Sequence, residues 1–166
     1  MWAPLMEHFR RYPAQEKIVR LLIKQGLRVR DGKLYSGDIE LSDSAVARAA
    51  GVDRRIVSAA ARTIENNGEL AKIFAHFQPT LHLKDVAPNL GWGVIEVVPE
   101  NASRHGILSG VSNVISQEGL SIRQAVVDDP YFIEEPKLFI VTEKAVPSHL
   151  IPPMQKVPGV RSVTVY

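Results

Sequence analysis

The sequence predicts an α+β chain of two modules, a helical N-terminal one carrying a small β-hairpin and a C-terminal one of order β-α-β-β-α-β. Three observations predict it. Through residue 77 the apolar residues recur mostly at helical spacing, broken by the turn pair Asp31-Gly32. Residues 78–91 gather Pro79, Pro88, Asn89 and Gly91, the composition of a boundary. From residue 93 onward, short β-branched runs alternate with helical stretches. These place a first domain at residues 1–78, a linker at 79–90 and a second domain at 91–166.

Each element has a local cause. Trp2, Leu5, Met6 and Phe9 give residues 2–11 one apolar side. Pro13, suited to a first helical turn, opens a stronger helix over 14–25; Ile18, Leu21 and Leu22 face inward and Gly26 stops it. Residues 27–35 alternate about Asp31-Gly32 as a hairpin. Two short helices then fill 42–62, joined at Gly51, with Ser42 and Asp53 as N-caps. Ala47 allows a close crossing, and Val46, Ala50, Val52, Val57 and Ala60 fix it. Asn66-Asn67-Gly68 ends the second of these helices, and another helix covers 69–77 before Pro79.

In the second module, residues 93–99 form a buried strand and 106–118 a helix with Ile107, Leu108, Val111, Val114 and Ile115 on one face. Strands follow at 120–127 and 138–142. A shorter helix covers 147–157, its Pro152 and Pro153 suited to a first turn, and a last strand covers 160–166. Right-handed crossovers turn this order into a four-stranded antiparallel sheet with both helices on one face, the ferredoxin-like arrangement.

Composition narrows the function. The chain has 166 residues, is 45% apolar, carries a net charge of +2 and contains no cysteine. Disulfides, thiolate nucleophiles and cysteine zinc sites are therefore excluded. No apolar run of about 18 residues spans a membrane. The N-terminus lacks the charged start and apolar core of a secretory leader, so the expected location is the cytoplasm. Residues 1–80 hold 13 Lys/Arg against 9 Asp/Glu, whereas residues 81–166 hold 7 against 9. A basic front with a mildly acidic back fits a nucleic-acid module joined to one with another task.

Facing outward on the second helix of the pair are Arg54, Arg55, Ser58, Ala59 and Arg62. A rigid elbow presenting such a helix is what major-groove reading needs, and the spacing of small residue, glycine and β-branched residue resembles the bacterial and archaeal helix-turn-helix. Arg54, Arg55, Ser58 and Arg62 are the expected DNA contacts; a plain helical hairpin is the alternative. Arg10, Arg11, Arg28, Arg30 and Lys33 are candidate phosphate contacts around the elbow.

Three segments of the second module, Glu100-Asn-Ala-Ser-Arg-His-Gly106, Gly119-Leu-Ser-Ile122 and Lys156-Val-Pro-Gly-Val160, together resemble the ACT domain of amino-acid metabolism. The resemblance implies a homodimer through side-by-side ACT domains, with an amino acid or similar effector held between subunits. Carried over by position, Asn101, Ser103, Arg104, His105 and Gly106 form the effector loop, with Ser121 across from it. The chain departs from the family pattern at Ser103, His105 and Ser121, so ligand identity stays open. Both halves together look like the archaeal proteins described as predicted regulators of amino-acid metabolism. Val52-Asp-Arg-Arg-Ile-Val57, Asp85-Val-Ala-Pro88, Gly93-Val-Ile-Glu96 and Ile122-Arg-Gln-Ala125 carry that likeness.

No enzyme motif stands out: the sequence has no Walker loop, dinucleotide fingerprint or Ser-His-Asp context. The five histidines lack metal-ligand spacing, and Asp128, Asp129, Glu134 and Glu135 read as a solvated loop rather than a cation site. No cofactor and no metal are expected. The expectation is an effector-responsive, dimeric DNA-binding regulator. Two alternatives stay open, a regulatory subunit docking on a biosynthetic enzyme and an amino-acid sensor that leaves DNA alone.

Overall fold

The computed structural model describes residues 2–166, which form two compact units divided between Leu81 and His82. The chain mixes helices and strands, and both of its sheets are antiparallel.

The first unit opens with α1 (Trp2–Glu7), shorter than the periodicity predicts. Turns at Phe9 and Tyr12 follow, and they drop Phe9 fully into the core. Helix α2 (Pro13–Gln25) starts on its proline and ends on Gly26 at φ +61°, where the N–H bonds back to Ile23 and Leu22. Strands β1 (Arg28–Arg30) and β2 (Lys33–Ser36) form the expected hairpin. A third strand, β3 (Ile39–Leu41), was not expected; a second tight turn at Gly37-Asp38 pairs Ser36 with Ile39. Val29, Leu34 and Leu41 sit in register on the side toward the core, leaving Arg28, Arg30, Lys33, Tyr35 and Glu40 on the other face.

Helix α3 (Asp43–Ala50) is capped by the Ser42 hydroxyl, which accepts from the Ala45 N–H at 3.3 Å. Helix α4 (Arg54–Glu65) is capped by Asp53, which accepts from the Arg55 N–H at 2.9 Å. Only Gly51, Val52 and Asp53 join them. Gly51 holds φ +64°, and Val52 donates to the Ala47 carbonyl at 3.0 Å, so the last carbonyls of α3 are satisfied as the chain reverses. Helix α5 (Gly68–Phe74) begins where Asn67 accepts from both Glu69 and Leu70, and it ends earlier than predicted. Val57, Ala60, Ala61 and Ile64 of α4 join Ile18, Val19 and Leu22 of α2 in a single core.

The second unit follows the predicted order: β4 (Gly93–Pro99), α6 (Ile107–Gln117), β5 (Ile122–Val127), β6 (Leu138–Thr142), α7 (Ile151–Gln155) and β7 (Val160–Val165). The strands lie in the order β5-β6-β4-β7, each antiparallel to its neighbours. Ile95, Val97, Leu138, Ile140 and Val163 pack with Ile107, Val111 and Ile115 of α6 and with Met154 of α7, so both helices cover one face. Pro152 and Pro153 occupy the first turn of α7, and Ser148–Leu150 forms a separate single turn before it. The opposite face is not bare. Of the expected linker, residues 82–90 belong to this unit, where Leu83 and Ala87, followed by Trp92, pack against Val94 and Val141. Among the described residues no helix is long and apolar enough to cross a membrane.

Two glycines of similar φ separate strain from crowding. A Cβ on Gly51 meets nothing within 4 Å, whereas one on Gly26 would sit on the Gln78 carbonyl. Gly51→Ala should therefore cost only the left-handed penalty, about 1–2 kcal/mol. Gly26→Ala should exceed it, since backbone must also move; urea melts of the two variants check the order.

Candidate functional site

Two places gather the residues singled out by sequence, one in each unit. In the first unit, the surface of α4 is fixed by what the helix buries. Val57 and Ile64 are fully buried, worth roughly 1.5–3 kcal/mol each. No surface ion pair, at about 0–1 kcal/mol, can rotate the helix against that. Arg54, Arg55 and Arg62 are consequently exposed, together with Arg48 on α3, a cation the sequence reading overlooked. Arg55 is 86% exposed along its side chain yet folds back on its own N-cap, Nε to Asp53 at 3.0 Å. Its hydrogen bond to Asp53 raises the guanidinium pKa, and the same contact, with the Arg55 backbone N–H, lowers that of Asp53.

Ser58 does not share this freedom. Its hydroxyl donates to the Asp43 carboxylate at the start of α3, so it braces the two helices and is half-buried. Ala59 is likewise half-buried. Of the four expected DNA contacts, three are presented outward and one is committed to the elbow. Arg62 borders an open groove of about 510 Å³ shared with His8, Tyr12 and Asn66, beside the Thr63 hydroxyl bonded to Gln15 at 2.8 Å.

The candidate phosphate contacts of the small sheet are largely neutralised at home. Arg28 pairs with Asp38 at 2.5 Å and Lys33 with Glu40 at 2.8 Å. Arg30 stacks over Tyr35 at 4.9 Å. Arg10 pairs with Glu7 at 3.0 Å, and Arg11 is exposed. The Asp31-Gly32 turn is tied to α4 by Glu65, which accepts from the Gly32 N–H at 2.5 Å.

In the second unit, residues 100–106 make a tight loop between β4 and α6. Asn101 spends its side chain on the loop itself, accepting from the Ser103 N–H at 2.9 Å. The loop is anchored by the Glu100 N–H donating to the Gly159 carbonyl at 2.9 Å. The stem of Arg104 lies on Gly159, leaving no room for a Cβ there, and its Nη1 is 3.5 Å from Glu100 Oε2. Beside this loop opens a cavity of about 130 Å³ lined by Pro99, Arg104, Gly106 and Ile107, and across from them by Val127, Asp128 and Leu138. Of the six expected effector residues, only Arg104 and Gly106 line it; Ser103 and His105 are exposed elsewhere on the loop.

Ser121 is not across from the loop within one chain. Ile122 pairs with Thr142 and Val127 with Leu138, while Gly93 pairs with Thr142 and Val97 with Leu138. Ser121 therefore sits at the Gly93 end of the sheet, bonded to Glu143, and the loop sits at the Pro99 end. A strand's two ends cannot meet. The sequence reading missed the far wall of the cavity because it comes from the ends of β5 and β6, distant in sequence from the loop motif.

No family model and no curated protein sequence matches this chain. Solved structures give distant likenesses. An ACT domain from a GTP pyrophosphokinase of Chlorobium tepidum matches 45% of this chain and 96% of its own, at 20% identity and TM-score 0.35. The C-terminal domain of the MgtC protein of Mycobacterium tuberculosis matches 45% and 83%, at 14% and 0.33. A transcriptional regulatory protein of the AsnC family from Pyrococcus furiosus matches 92% and 85%, at 14% and 0.28.

Two aspartates of the acidic loop between β5 and β6 accept from its own backbone: Asp128 from the Lys137 N–H at 3.1 Å and Asp129 from the Tyr131 N–H at 2.8 Å. Among the described residues no three His, Asp or Glu groups converge on a metal position. Glu96, buried in the sheet, receives the Lys137 ammonium at 2.6 Å and the Tyr166 hydroxyl at 3.4 Å. That hydrogen bond raises the Lys137 pKa above its ordinary value. A raised folded-state pKa stabilises below the unfolded value, about 10.4, and the contribution disappears as pH climbs through the folded value. Lys137→Met should therefore lower the thermal midpoint at neutral pH, and the gap to the wild type should narrow above about pH 10.4; thermal melts across pH check it.

Proposed function

We propose that this chain is an effector-responsive DNA-binding regulator of amino-acid metabolism, a binding protein rather than an enzyme. In this reading α3 and α4 are a helix-turn-helix, and the second unit is a ferredoxin-like ACT domain that pairs with a second copy. The observation that carries it is the exposure of Arg54, Arg55 and Arg62 on a helix whose opposite face is locked in the core. Such a helix can enter a major groove without rearranging, with arginines placed for guanine edges and phosphates. The Asp53 contact orients Arg55 in the free protein and gives way when a base or phosphate competes for the guanidinium.

Pairing accounts for Ser121. Strand β5 lies at the edge of its sheet, where a second strand can be added. Two copies joined antiparallel along β5 about a two-fold axis bring the Ser121 end of one strand beside the Val127 end of the other. The partner subunit's Ser121 then faces the loop cavity, and the effector is held by both chains. Occupancy adjusts the pairing and thereby the two α4 helices, a coupling typically about 1–3 kcal/mol.

Anisotropy titrations against sequence-selected and random duplexes test the DNA half. Arg55→Ala should cost about 1–3 kcal/mol on the selected site and relax its sequence preference, while Arg62→Ala should weaken all duplexes alike and reduce the salt slope by about one. Equal loss on every sequence for Arg55→Ala removes its reading role. One observation favours a second reading, docking on a biosynthetic enzyme: Ser58 and the small-sheet cations are committed internally, leaving less free basic surface than expected. Absence of binding to any duplex at low salt, with an enzyme co-purifying, would decide for that reading.

A further inference from the structure

The open groove beside α4 has a polarity that its internal hydrogen bonds impose. Asn67 accepts from the Glu69 and Leu70 N–H groups at 3.0 and 3.1 Å, which leaves its amide nitrogen to donate to His8 Nδ1 at 3.4 Å. An accepting Nδ1 puts the proton of the neutral ring on Nε2. Gln15 is ordered in the same way: its oxygen accepts from the Thr63 hydroxyl at 2.8 Å, so its NH2 is left to donate. Arg62 adds a guanidinium that makes no ion pair among the described residues, and the lining contains no carboxylate. The acceptors of Asn67 and Gln15 are spent internally, while the donors stay open. These donors come from the turn after α1, from α2 and from α4. A carboxylate offers its oxygens in one plane, whereas a tetrahedral phosphate can meet all three directions.

We propose that this groove is a phosphate site, holding the group through Arg62, the Gln15 amide and His8 Nε2. Tyr12, 53% exposed, borders both the groove and an adjoining hollow of about 410 Å³. Its ring offers a flat apolar surface to the sugar or base that carries the phosphate. In that hollow Arg10 is paired with Glu7, while Arg11 makes no ion pair among the described residues. The phosphate belongs either to a nucleic-acid backbone or to a free nucleotide, and the chemistry recognised is the same. In the first case the groove supplies partners for the Arg62 contact of the reading above. The case rests on the groove's donors and not on α4 reading bases, so either can fail alone.

NMR of the side-chain amides and arginine Nε–H groups of the full chain tests this. The probes are adenosine monophosphate and a mixed-sequence duplex, with sodium chloride at matched ionic strength as the blank. The expected result is a saturable shift of the Gln15 NH2 and the Arg62 Nε–H with at least one probe and none with the blank. Saturation by adenosine monophosphate identifies a nucleotide site; saturation by the duplex alone identifies a backbone phosphate. Gln15→Glu can still accept from Thr63 but loses the donor, and Arg62→Gln loses the cation; each should weaken the bound probe roughly ten-fold. Lys17 is exposed two positions on from Gln15, on the other side of α2. Lys17→Gln changes the net charge by the same single unit and should cost less than about two-fold. No saturable shift at Gln15 or Arg62, or an equal loss in Lys17→Gln, would overturn the proposal. Duplex shifts at residues 54–58 without any in the groove would overturn it and keep the reading role of α4; the reverse pattern would keep the phosphate site and remove that role.

Discussion

The packing of α4 is the constraint on which the first unit's surface depends. Val57, Ala60, Ala61 and Ile64 commit one side of the helix to a core that also draws on α2, the small sheet and α5. The arginines take the other side because no position remains for them inside. Gly51 then sets where the helix starts, since its left-handed backbone reverses the chain in three residues while satisfying the carbonyls of α3. Ser58 and Asp43 add a polar brace at the crossing. A helix held this firmly needs no backbone ordering to present its cations, although each exposed arginine side chain loses rotamer freedom whenever it is held.

The second unit handles charge differently. Its sheet face away from the helices carries a buried glutamate that persists because an ammonium and a phenol reach it. The strap of residues 82–92 covers part of that face, with Lys84 over Phe139 at 4.6 Å and Arg123 over Trp92 at 4.6 Å. The same Lys137 that serves Glu96 forms part of the cavity wall, where Arg104, in long contact with the exposed Glu100, is the less committed cation. Close approaches hold the loop in place: Arg104 lies over Gly159, and Val157 packs onto Gly110 of α6 with no room for a side chain between them.

Most helices and strands were legible because periodicity and punctuation agreed. Ser42, Gly51 and Asp53 marked the elbow to the residue, and the two βαβ halves were readable from their β-branched runs. What escaped were features whose cause lies across the fold. Strand β3 has three residues and one exposed isoleucine, too little pattern for a strand without its partner. Ser58 looked outward by helical spacing, yet a carboxylate fifteen positions earlier claims its hydroxyl. The loop of residues 100–106 was visible as a motif, but Asn101 serves the loop itself, and Ser121 lies a full strand length from the cavity. Asp128 and Leu138 were invisible as site residues because only the sheet brings them to the loop.

If the first unit binds DNA as proposed, the outward face of α4 is the surface that meets it. Amide chemical-shift mapping of the full chain, titrated with a selected duplex, tests it most directly. The largest changes are expected at residues 51–62, with Arg54 and Arg55 foremost and the side chain of Arg62 included. Changes confined to residues 82–166, or none at saturating duplex in low salt, would contradict it.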